Sequence, residues 1–507
     1  MVADKSYTIF IPVKILTATQ VYELDDYSIK QEKISSLELM ERAADAIFNE
    51  LFHIVHNGRV LLFCGKGNNG GDGLAIARML LEVNYDVKVF VVEHSPKVSK
   101  DFSANLNQID KGRIVFIKTA KQIPVIKKTD VIVDAIFGSG LSRPVDGISA
   151  LVINVINKSK AKVYAVDVPS GLFCDKANNA KDAIVKSTCT FTFHALKLSF
   201  LFSANGKYVP EFKVLDIGLN KSYGEKLPSD YFYINKDFVQ PLFKKREKFS
   251  HKGNYGHALI AAGSFGKIGA AVLATKAALR SGAGLVTALV PACGYDILQT
   301  SAPEAMCLVD GDSHLFGVPD LNKFNSIAVG PGIGTTSSAI NFVYELLKLN
   351  KALVIDADAL NIISANENYL SLISRGSVLT PHPGEFKRLV GEWKDDVEKL
   401  AKQKQFSKKH GVVVVLKGAH TSVSSVDGKI YFNSTGNPGM AKGGSGDVLT
   451  GIIVALIAQN YSSLHAAIIA VYLHGLAGDY AKHELGETAM KASDIIYYLP
   501  KVFKSFE

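Results

Sequence analysis

Short β-branched runs alternate with helical stretches along nearly the whole chain, and this alternation limits the possible folds more than any other feature. In the first half, six runs have the composition of strands: RVLLFC, DVKVFVV, RIVFI, DVIVDAI, KVYAVDV and STCTFTF. The segments SSLELMERAADAIFNELF and DGLAIARMLLEV carry apolar residues at helical spacing. Strands and helices alternating at this spacing predict a parallel sheet covered by helices.

The alternation is interrupted once, over residues 220–250, where the chain becomes polar and rich in lysine. It then resumes with the strand-like runs HALIAAG, GLVTALV, SIAVG, ALVIDA, SVLTP and VVVVLKG, accompanied by helical stretches. A chain of 507 residues is also long for one domain. We therefore predict two α/β domains, residues 1–225 and 226–507.

Charge and composition exclude several classes of protein. The net charge is +9, but the lysines are scattered and form no basic stripe with interleaved aromatic residues. Five cysteines form no C-x-x-C pair, which is typical of reduced thiols in a cytoplasm. No apolar run reaches the roughly 20 residues of a membrane span, and YTIFIPVKIL lacks a clear cleavage site. We expect a cytoplasmic protein that binds neither nucleic acid nor membrane.

The segment GKGNNGGDG, residues 65–73, follows a predicted strand and opens a predicted helix. Gly65, Gly67 and Gly70 spell the dinucleotide fingerprint, and Glu93 follows where a ribose-binding acid would lie. The same loop carries Asn68, Asn69 and Asp72, which a pyrophosphate cradle does not require. The motif by itself is therefore compatible with a dehydrogenase and with a different kind of nucleotide site.

Three predicted strand ends deliver polar side chains beside glycine: Asn69, Asp134 and Asp167, with Ser170 close to the last. One such residue alone would indicate a helix cap or a turn, but three at the ligand-binding edge of a sheet predict a polar site. The oxygens of Asn69, Asp134 and Ser170 suit a hard cation better than a redox pocket. Asp167 is a candidate general acid or base. His194 and Lys197 are candidates to assist it, although a buried, hydrogen-bonded role is favoured for His194.

The second half carries a stronger signal in NPGMAKGGSGDVLTG, residues 437–451, where a glycine-rich turn leads into an apolar helix. Backbone N–H groups of residues 443–446 would bind an anion at the helix N-terminus. Asp447 would repel that anion, which makes sense if it is the base for a hydroxyl that attacks a phosphoryl group. The alternative is an acidic residue that only stabilises the helix dipole. No Walker motif occurs, which excludes a P-loop enzyme.

Five further segments are expected around this anion site: GSFGKIGAA, VGPGIG, IDADAL, LTPHPGE and VLKGAHT. Two prolines are expected to hold His382 and Glu385 rigidly toward the cleft. Lys417 and Thr421 are expected to contact a nucleotide.

These motifs resemble two known families. NNGGDG, VDAIFGSGLSRPVDG and VDVPSG resemble the NAD(P)H-hydrate epimerases, whereas GSFGKIGAA, GPGIG, TPHPGE, KGAHT and GGSGDVLTG resemble the ADP/ATP-dependent NAD(P)H-hydrate dehydratases of the ribokinase-like superfamily. The resemblance runs from about residue 15 in the order of the bifunctional NAD(P)H-hydrate repair enzymes. It implies an N-terminal Rossmann-like three-layer α/β/α domain and a C-terminal ribokinase-like α/β domain.

The resemblance also implies an activity: epimerisation of the R and S hydrates of NADH and NADPH, then ADP-dependent dehydration of the S form, releasing AMP and phosphate. The implied cofactors are potassium for the epimerase and ADP with Mg²⁺ for the dehydratase, with the choice between ADP and ATP left open. We also expect a homo-oligomer. A vitamin or sugar kinase fused to a nucleotide-binding domain is the competing enzyme hypothesis, and a ligand-sensing first half is the non-enzymatic one.

Site roles follow from the resemblance residue by residue. Asp167 and Asp447 would be catalytic and would also contact substrate, and potassium would be held by Asn69, Asp134 and Ser170. The other implied substrate contacts are Asn68, Asn69, Gly70, Gly71, Asp72, Gly138, Ser139, Gly140, Leu141, Ser142, Arg143, Pro144, Ala270, Gly332 and His382. The implied nucleotide contacts are Lys417, Gly418, Ala419, His420, Thr421 and Gly446.

Overall fold

The computed structural model describes residues 13–55 and 58–507. Most of the stretch YTIFIPVKIL, assessed above for a secretion signal, lies outside the described residues. The described chain divides into two compact units, Lys14–Ser229 and Asp230–Glu507, and Val13 is grouped with the second. Each unit has its own sheet.

The first unit is built on seven parallel strands in the order β4-β3-β2-β5-β6-β7-β8. Strand order reverses between β2 and β5, and in such sheets ligands bind beyond the strand ends at this point. All six predicted strands form, whereas β8 was not predicted. These seven strands are β2 Val60–Cys64, β3 Val87–Val92, β4 Ile114–Ile117, β5 Val131–Ala135, β6 Lys162–Val166, β7 Cys189–Phe193 and β8 Phe212–Leu215. The two-residue strand β1, Val13–Lys14, precedes them in the chain and is not part of this sheet.

Helices cover both faces of this sheet. Residues of α2 and α3 share one apolar core with the sheet, and residues of α5 share the other. The predicted three-layer α/β/α arrangement is therefore confirmed, although helix α1 was not predicted. The helices are α1 Ala18–Glu32, α2 Ser36–Ile54, α3 Asn68–Glu82, α4 Lys100–Leu106, α5 Gly147–Lys158 and α6 Lys221–Gly224.

The second unit has a mixed sheet in the order β9-β18-β17-β16-β15-β14-β13-β10-β11-β12. The seven strands from β16 to β12 run parallel, and β17 and β18 add antiparallel neighbours. The strands are β9 Tyr231–Ile234, β10 His257–Ala261, β11 Leu285–Val290, β12 Met306–Val309, β13 Ser326–Val329, β14 Val354–Ile355, β15 Val378–Leu379, β16 Val413–Leu416, β17 Ser422–Ser424 and β18 Ile430–Asn433.

Two apolar cores again lie on opposite faces of the sheet, one shared with α8, α15, α16 and α17 and the other with α10 and α11. Within the described chain, no helix is long and apolar enough to cross a bilayer. The helices are α7 Lys236–Val239, α8 Ile268–Arg280, α9 Tyr295–Ser301, α10 Ser337–Lys348, α11 Ala357–Ala365, α12 Glu367–Leu370, α13 Pro383–Val390, α14 Asp396–His410, α15 Ser445–Ala458, α16 Ser463–Ala489 and α17 Ala492–Lys504.

Candidate active sites

In the first unit, the structure joins Asp134 of β5 to Ser170 of the loop after β6. The Ser170 hydroxyl donates to Asp134 Oδ1 at 2.6 Å, and the Ser170 N–H donates to Oδ2 at 2.7 Å. Both side chains are fully buried. Burial raises the pKa of Asp134 to about 6, although the hydrogen bonds from Ser170 and Ile136 oppose this shift. A buried carboxylate, a hydroxyl and the nearby Phe137 carbonyl give the oxygen-rich surroundings that hard cations prefer.

Asn69, in the first turn of α3, adjoins the loop that follows β5. A Cβ added to Gly138 would lie 2.9 Å from Asn69 Oδ1, so only glycine leaves room for the amide here. Asn69 Nδ2 is buried and has no hydrogen-bond partner among the described residues. This nitrogen is a donor, so the partner it lacks is an acceptor such as a substrate oxygen, whereas Oδ1 is the atom that could face a cation. The predicted potassium ligands thus lie at adjoining strand ends, and their donor chemistry fits the ion.

The N-terminus of α3 is open, because its N-cap residue Gly67 offers no side-chain hydrogen bond to the helix. Such a terminus attracts phosphate groups. The ribose-binding acid of a dehydrogenase is not free here, since Glu93 forms an ion pair with Lys66 at 2.8 Å. Next to the loop at 138–144 is a cavity of about 670 Å³, lined by the first turns of α1 and by Ser139–Ser142 and Phe173–Lys176.

Asp167 is held in a strained position directly after β6. Its φ is 62°, in the left-handed region that residues other than glycine seldom adopt. Its carboxylate forms an ion pair with Lys197 at 2.8 Å and accepts hydrogen bonds from Ser139 N–H at 3.2 Å and Thr192 Oγ1 at 3.2 Å. Burial opposes ionisation, but Lys197 and Ser139 lower the pKa of Asp167 below its usual value.

The sequence indicated Lys197 only as a residue that could assist Asp167. In the structure its side chain is almost completely buried against Asp167. His194, in contrast, lies with Nδ1 4.0 Å from Asp216 Oδ1. Two further acids adjoin the pair. Burial raises the pKa of Asp72 well above its usual value, and the charges of Asp167 and Asp25 add to this effect. Asp25, on the unpredicted helix α1, carried no signal in the sequence.

In the second unit, the predicted segments follow neighbouring parallel strands and meet around a buried carboxylate. Asp356, directly after β14, is 3.1 Å from Lys417 Nζ and accepts a hydrogen bond from Thr450 Oγ1 at 2.8 Å. Burial opposes ionisation, but Lys417 and Thr450 lower the pKa of Asp356. A Cβ on Gly446 would lie 3.2 Å from Lys417 Nζ. Lys417 and Gly446 therefore lie together at the start of α15, and Thr450 was missed because its partner is distant in sequence.

Asp447 lies at this same helix start and is unpaired. It forms no hydrogen bond or ion pair with any described residue. Burial raises its pKa to about 7, and the negative charge of Asp356 adds to the shift while Lys417 opposes it. No side chain caps α15, and the buried hydroxyl of Ser445 lacks a partner within the described chain. A free carboxylate thus stands beside an open anion-binding helix terminus.

His474 contacts the first residue of α15, and the sequence did not indicate it as part of the site. Burial lowers its pKa to about 4, so the imidazole is neutral at physiological pH. Its Nε2 lies 2.9 Å from the Ser445 carbonyl, which fits a donating N–H.

The remaining predicted contacts of the second unit are distributed around the same strand ends. A Cβ on Gly332 would lie 3.1 Å from Ala270 Cβ, so these two positions adjoin. His382 caps α13: its Nδ1 accepts from Gly384 N–H at 3.0 Å, and its ring is half exposed. Thr421 Oγ1 bonds back to the Gly418 carbonyl at 3.1 Å, which closes the turn over residues 417–421.

Comparison with known proteins gives two family matches and a set of full-length relatives. Residues 36–199 match a model described as YjeF-related protein N-terminus, and residues 258–501 match one described as NAD(P)H-hydrate dehydratase. A bifunctional NAD(P)H-hydrate repair enzyme from Moorella thermoacetica is 36% identical over 97% of both chains. Its namesake from Coxiella burnetii is 34% identical over 95% of this chain and 97% of its own. A Bacillus subtilis ADP/ATP-dependent NAD(P)H-hydrate dehydratase crystallised with ATP and Mg²⁺ is 33% identical, covering 54% of this chain and 98% of that one with a TM-score of 0.47.

Proposed function

The chain belongs to the family of bifunctional NAD(P)H-hydrate repair enzymes, and from this premise we propose that its two units act in sequence on one damaged nucleotide. The substrate carries a hydroxyl at C6 of the reduced nicotinamide ring. The unit Lys14–Ser229 interconverts the R and S hydrates, and the unit Asp230–Glu507 dehydrates the S form at the expense of ADP. The unpaired carboxylate of Asp447 beside the open N-terminus of α15 is the observation that carries the proposal.

In the epimerase unit, the ionised carboxylate of Asp167 moves a proton at the C6 hydroxyl. Lys197 keeps this carboxylate charged although it is buried. Asn69, Asp134 and Ser170 would hold a potassium ion, whose positive charge would help to bind the substrate phosphates near the open end of α3. The loop at 138–144, together with residues 68–72, encloses the substrate.

In the dehydratase unit, Asp447 takes the proton of the C6 hydroxyl as its oxygen attacks the terminal phosphoryl group of ADP, and AMP leaves. The N–H groups at the start of α15 and Lys417 stabilise the transferred charge. The C6–O bond then breaks, phosphate departs with the electron pair, and a proton leaves the adjacent ring carbon to restore NADH or NADPH. Mg²⁺, held mainly by the phosphates and by at most one or two carboxylates, would neutralise charge beside Asp447. No net redox change occurs.

A single assay tests this function. A mixture of R and S hydrates is incubated with ADP or ATP, and the absorbance of reduced nicotinamide, AMP and phosphate are followed together. We expect both epimers to be consumed, with one phosphate released per reduced nicotinamide formed. A stable phosphorylated product would instead identify a kinase. Consumption of the S form alone, with R left at the uncatalysed rate, would favour a first unit that only binds ligand.

All five cysteines are free thiols, which suits the reducing cytoplasm where NADH and NADPH are used. This supports the proposal that the protein is cytoplasmic. Its assembly into a homo-oligomer stays a prediction, which sedimentation of the full chain would check.

A further inference from the structure

Helix α1 forms one wall of the cavity beside the loop at 138–144, and it is fixed there at several points. Thr17 caps the helix, and the Ala18 N–H donates to Asp175 Oδ2 at 2.9 Å. Further along, Ser28 Oγ accepts from the Asn220 N–H at 3.0 Å, and the ring of Tyr27 stacks on that of Tyr223 at 3.9 Å. The helix itself is therefore held in place beside the cavity.

Asp25 lies on α1 between its buried stripe and its cavity-lining stripe. The buried stripe is Val21, Leu24 and Ser28, and the cavity-lining one includes Ala18 and Tyr22. At 100° per residue, position 25 falls between the two. Asp25 is accordingly half-buried, at the border between the packed face of α1 and the face that lines the cavity.

The packing of α1 brings Asp25 close to the catalytic pair. Leu24 shares an apolar cluster with Ala195, and Lys197 Nζ donates to the Ala195 carbonyl at 3.2 Å. Asp25 is near enough for the charges of both Asp167 and Lys197 to act on it. Within the described residues it has no hydrogen bond or ion pair, unlike neighbouring Asp26, which pairs with Lys30 at 2.5 Å.

We propose that Asp25 is a second catalytic proton-transfer group of the epimerase unit, working with Asp167 on the C6 centre; this rests on the function proposed above. When C6 is inverted by loss of its hydroxyl from one face of the ring and addition of water to the other, a proton must be delivered on the first face and removed on the second. A single carboxylate cannot reach both faces. Asp25 on the helical wall and Asp167 at the strand end are two separately anchored groups that meet this need.

The proposed epimerisation removes one water molecule from C6 and adds another to its opposite face. Asp25 gives its proton to the C6 hydroxyl, the C6–O bond breaks, and the lone pair of the ring nitrogen forms a C=N bond as water leaves. Water then adds to the other face of C6, Asp167 takes its proton, and the electron pair returns to nitrogen. The proton returns from Asp167 to Asp25 through cavity water, and the reverse direction uses the same groups with roles exchanged.

The charges around Asp25 supply the required protonation states. Burial raises the pKa of Asp25 to about 7, and Asp167 raises it further while Lys197 lowers it. Asp72 on α3 also faces Asp25. Because Lys197 lowers the pKa of Asp167, an acid and a base coexist near neutral pH. Epimerisation should therefore decline as the pH rises through about 7 and Asp25 loses its proton.

The test compares Asp25→Asn with the wild-type full chain, using mixed hydrates and excess ADP, and resolves R from S by chromatography in short incubations. We expect kcat for consumption of R to fall by about 10²–10⁴-fold with an unchanged KM and an unchanged rate for S. Asp45→Asn on α2 is the matched control, since Asp45 is exposed and, among the described residues, accepts only from Asn49. It should behave as wild type.

Asp25→Ala separates proton transfer from structural damage, because added formate should restore its consumption of R. Consumption of R by Asp25→Asn at the wild-type rate would overturn the assignment, as would a loss confined to KM or an absence of formate rescue. A wild-type chain that leaves R at the uncatalysed rate would instead overturn the epimerase function itself, and this assignment with it.

Discussion

Replacing Asp447 by Asn should stabilise the C-terminal unit while abolishing most of its activity. Burial and Asp356 raise the pKa of Asp447 to about 7 from 3.8. The folded protein therefore holds a proton that the unfolded chain releases, and its stability falls as the pH rises from about 4 to about 7. At about 1.4 kcal/mol per pKa unit, the shift corresponds to at most about 4 kcal/mol. Partial exposure to solvent reduces this to roughly 2–3 kcal/mol.

Asn carries no charge, so the variant should be more stable than the wild type above pH 7 and equally stable below about pH 4. A gain of 2–3 kcal/mol corresponds to roughly 4–10 °C in melting temperature for a unit of this size. Dehydration of the S hydrate should fall by about 10²–10⁴-fold, since Asn accepts no proton. ADP affinity should hold or increase, because a negative charge beside the phosphates is removed.

Melting is followed by the fluorescence of Trp393, the single tryptophan of the chain, which lies in the C-terminal unit. The matched control is Asp296→Asn, which removes an exposed acid from the first turn of α9. It should cost about 0.3–1 kcal/mol through the helix dipole and leave dehydration unchanged. If Asp447→Asn instead lowers the melting temperature and dehydrates at the wild-type rate, Asp447 is not the base and only stabilises its helix.

Three further outcomes are expected. Asp134→Asn should slow epimerisation and make its rate independent of potassium, while dehydration of the S hydrate is unaffected. The measurement is the rate of R consumption at increasing potassium concentrations. Lys197→Met leaves Asp167 buried and unpaired, so the N-terminal unit should lose about 3–5 kcal/mol at neutral pH; the loss should shrink as acid protonates Asp167, which thermal melting across pH checks. Thr450→Val removes a hydrogen bond to the carboxylate of Asp356 and should cost about 1.5–3 kcal/mol in denaturant melts; an unchanged midpoint would contradict this.

Much of the fold and part of each site follow from the sequence alone. The period of the apolar residues determines which segments are strands and which are helices, and burial on both faces makes parallel strands continuous apolar runs. Because parallel strands present their carboxyl ends at one edge, residues after neighbouring strands must meet there. From that rule, Asp134 and Ser170 are expected to lie close together, and Lys417 is expected to lie near the start of α15. The structure has both arrangements.

Only the tertiary structure determined which charges are paired. Asp25 and Asp167 are separated by most of the first unit, and their proximity depends on how α1 packs against α2 and the residues that follow β7. Asp356 is paired with Lys417 and Thr450. One of these partners lies at a strand end and the other inside a helix, and no local sequence pattern connects them. Propensity and periodicity report whether a residue is buried, but the pKa of a buried group depends on neighbours that the chain brings together only when it folds.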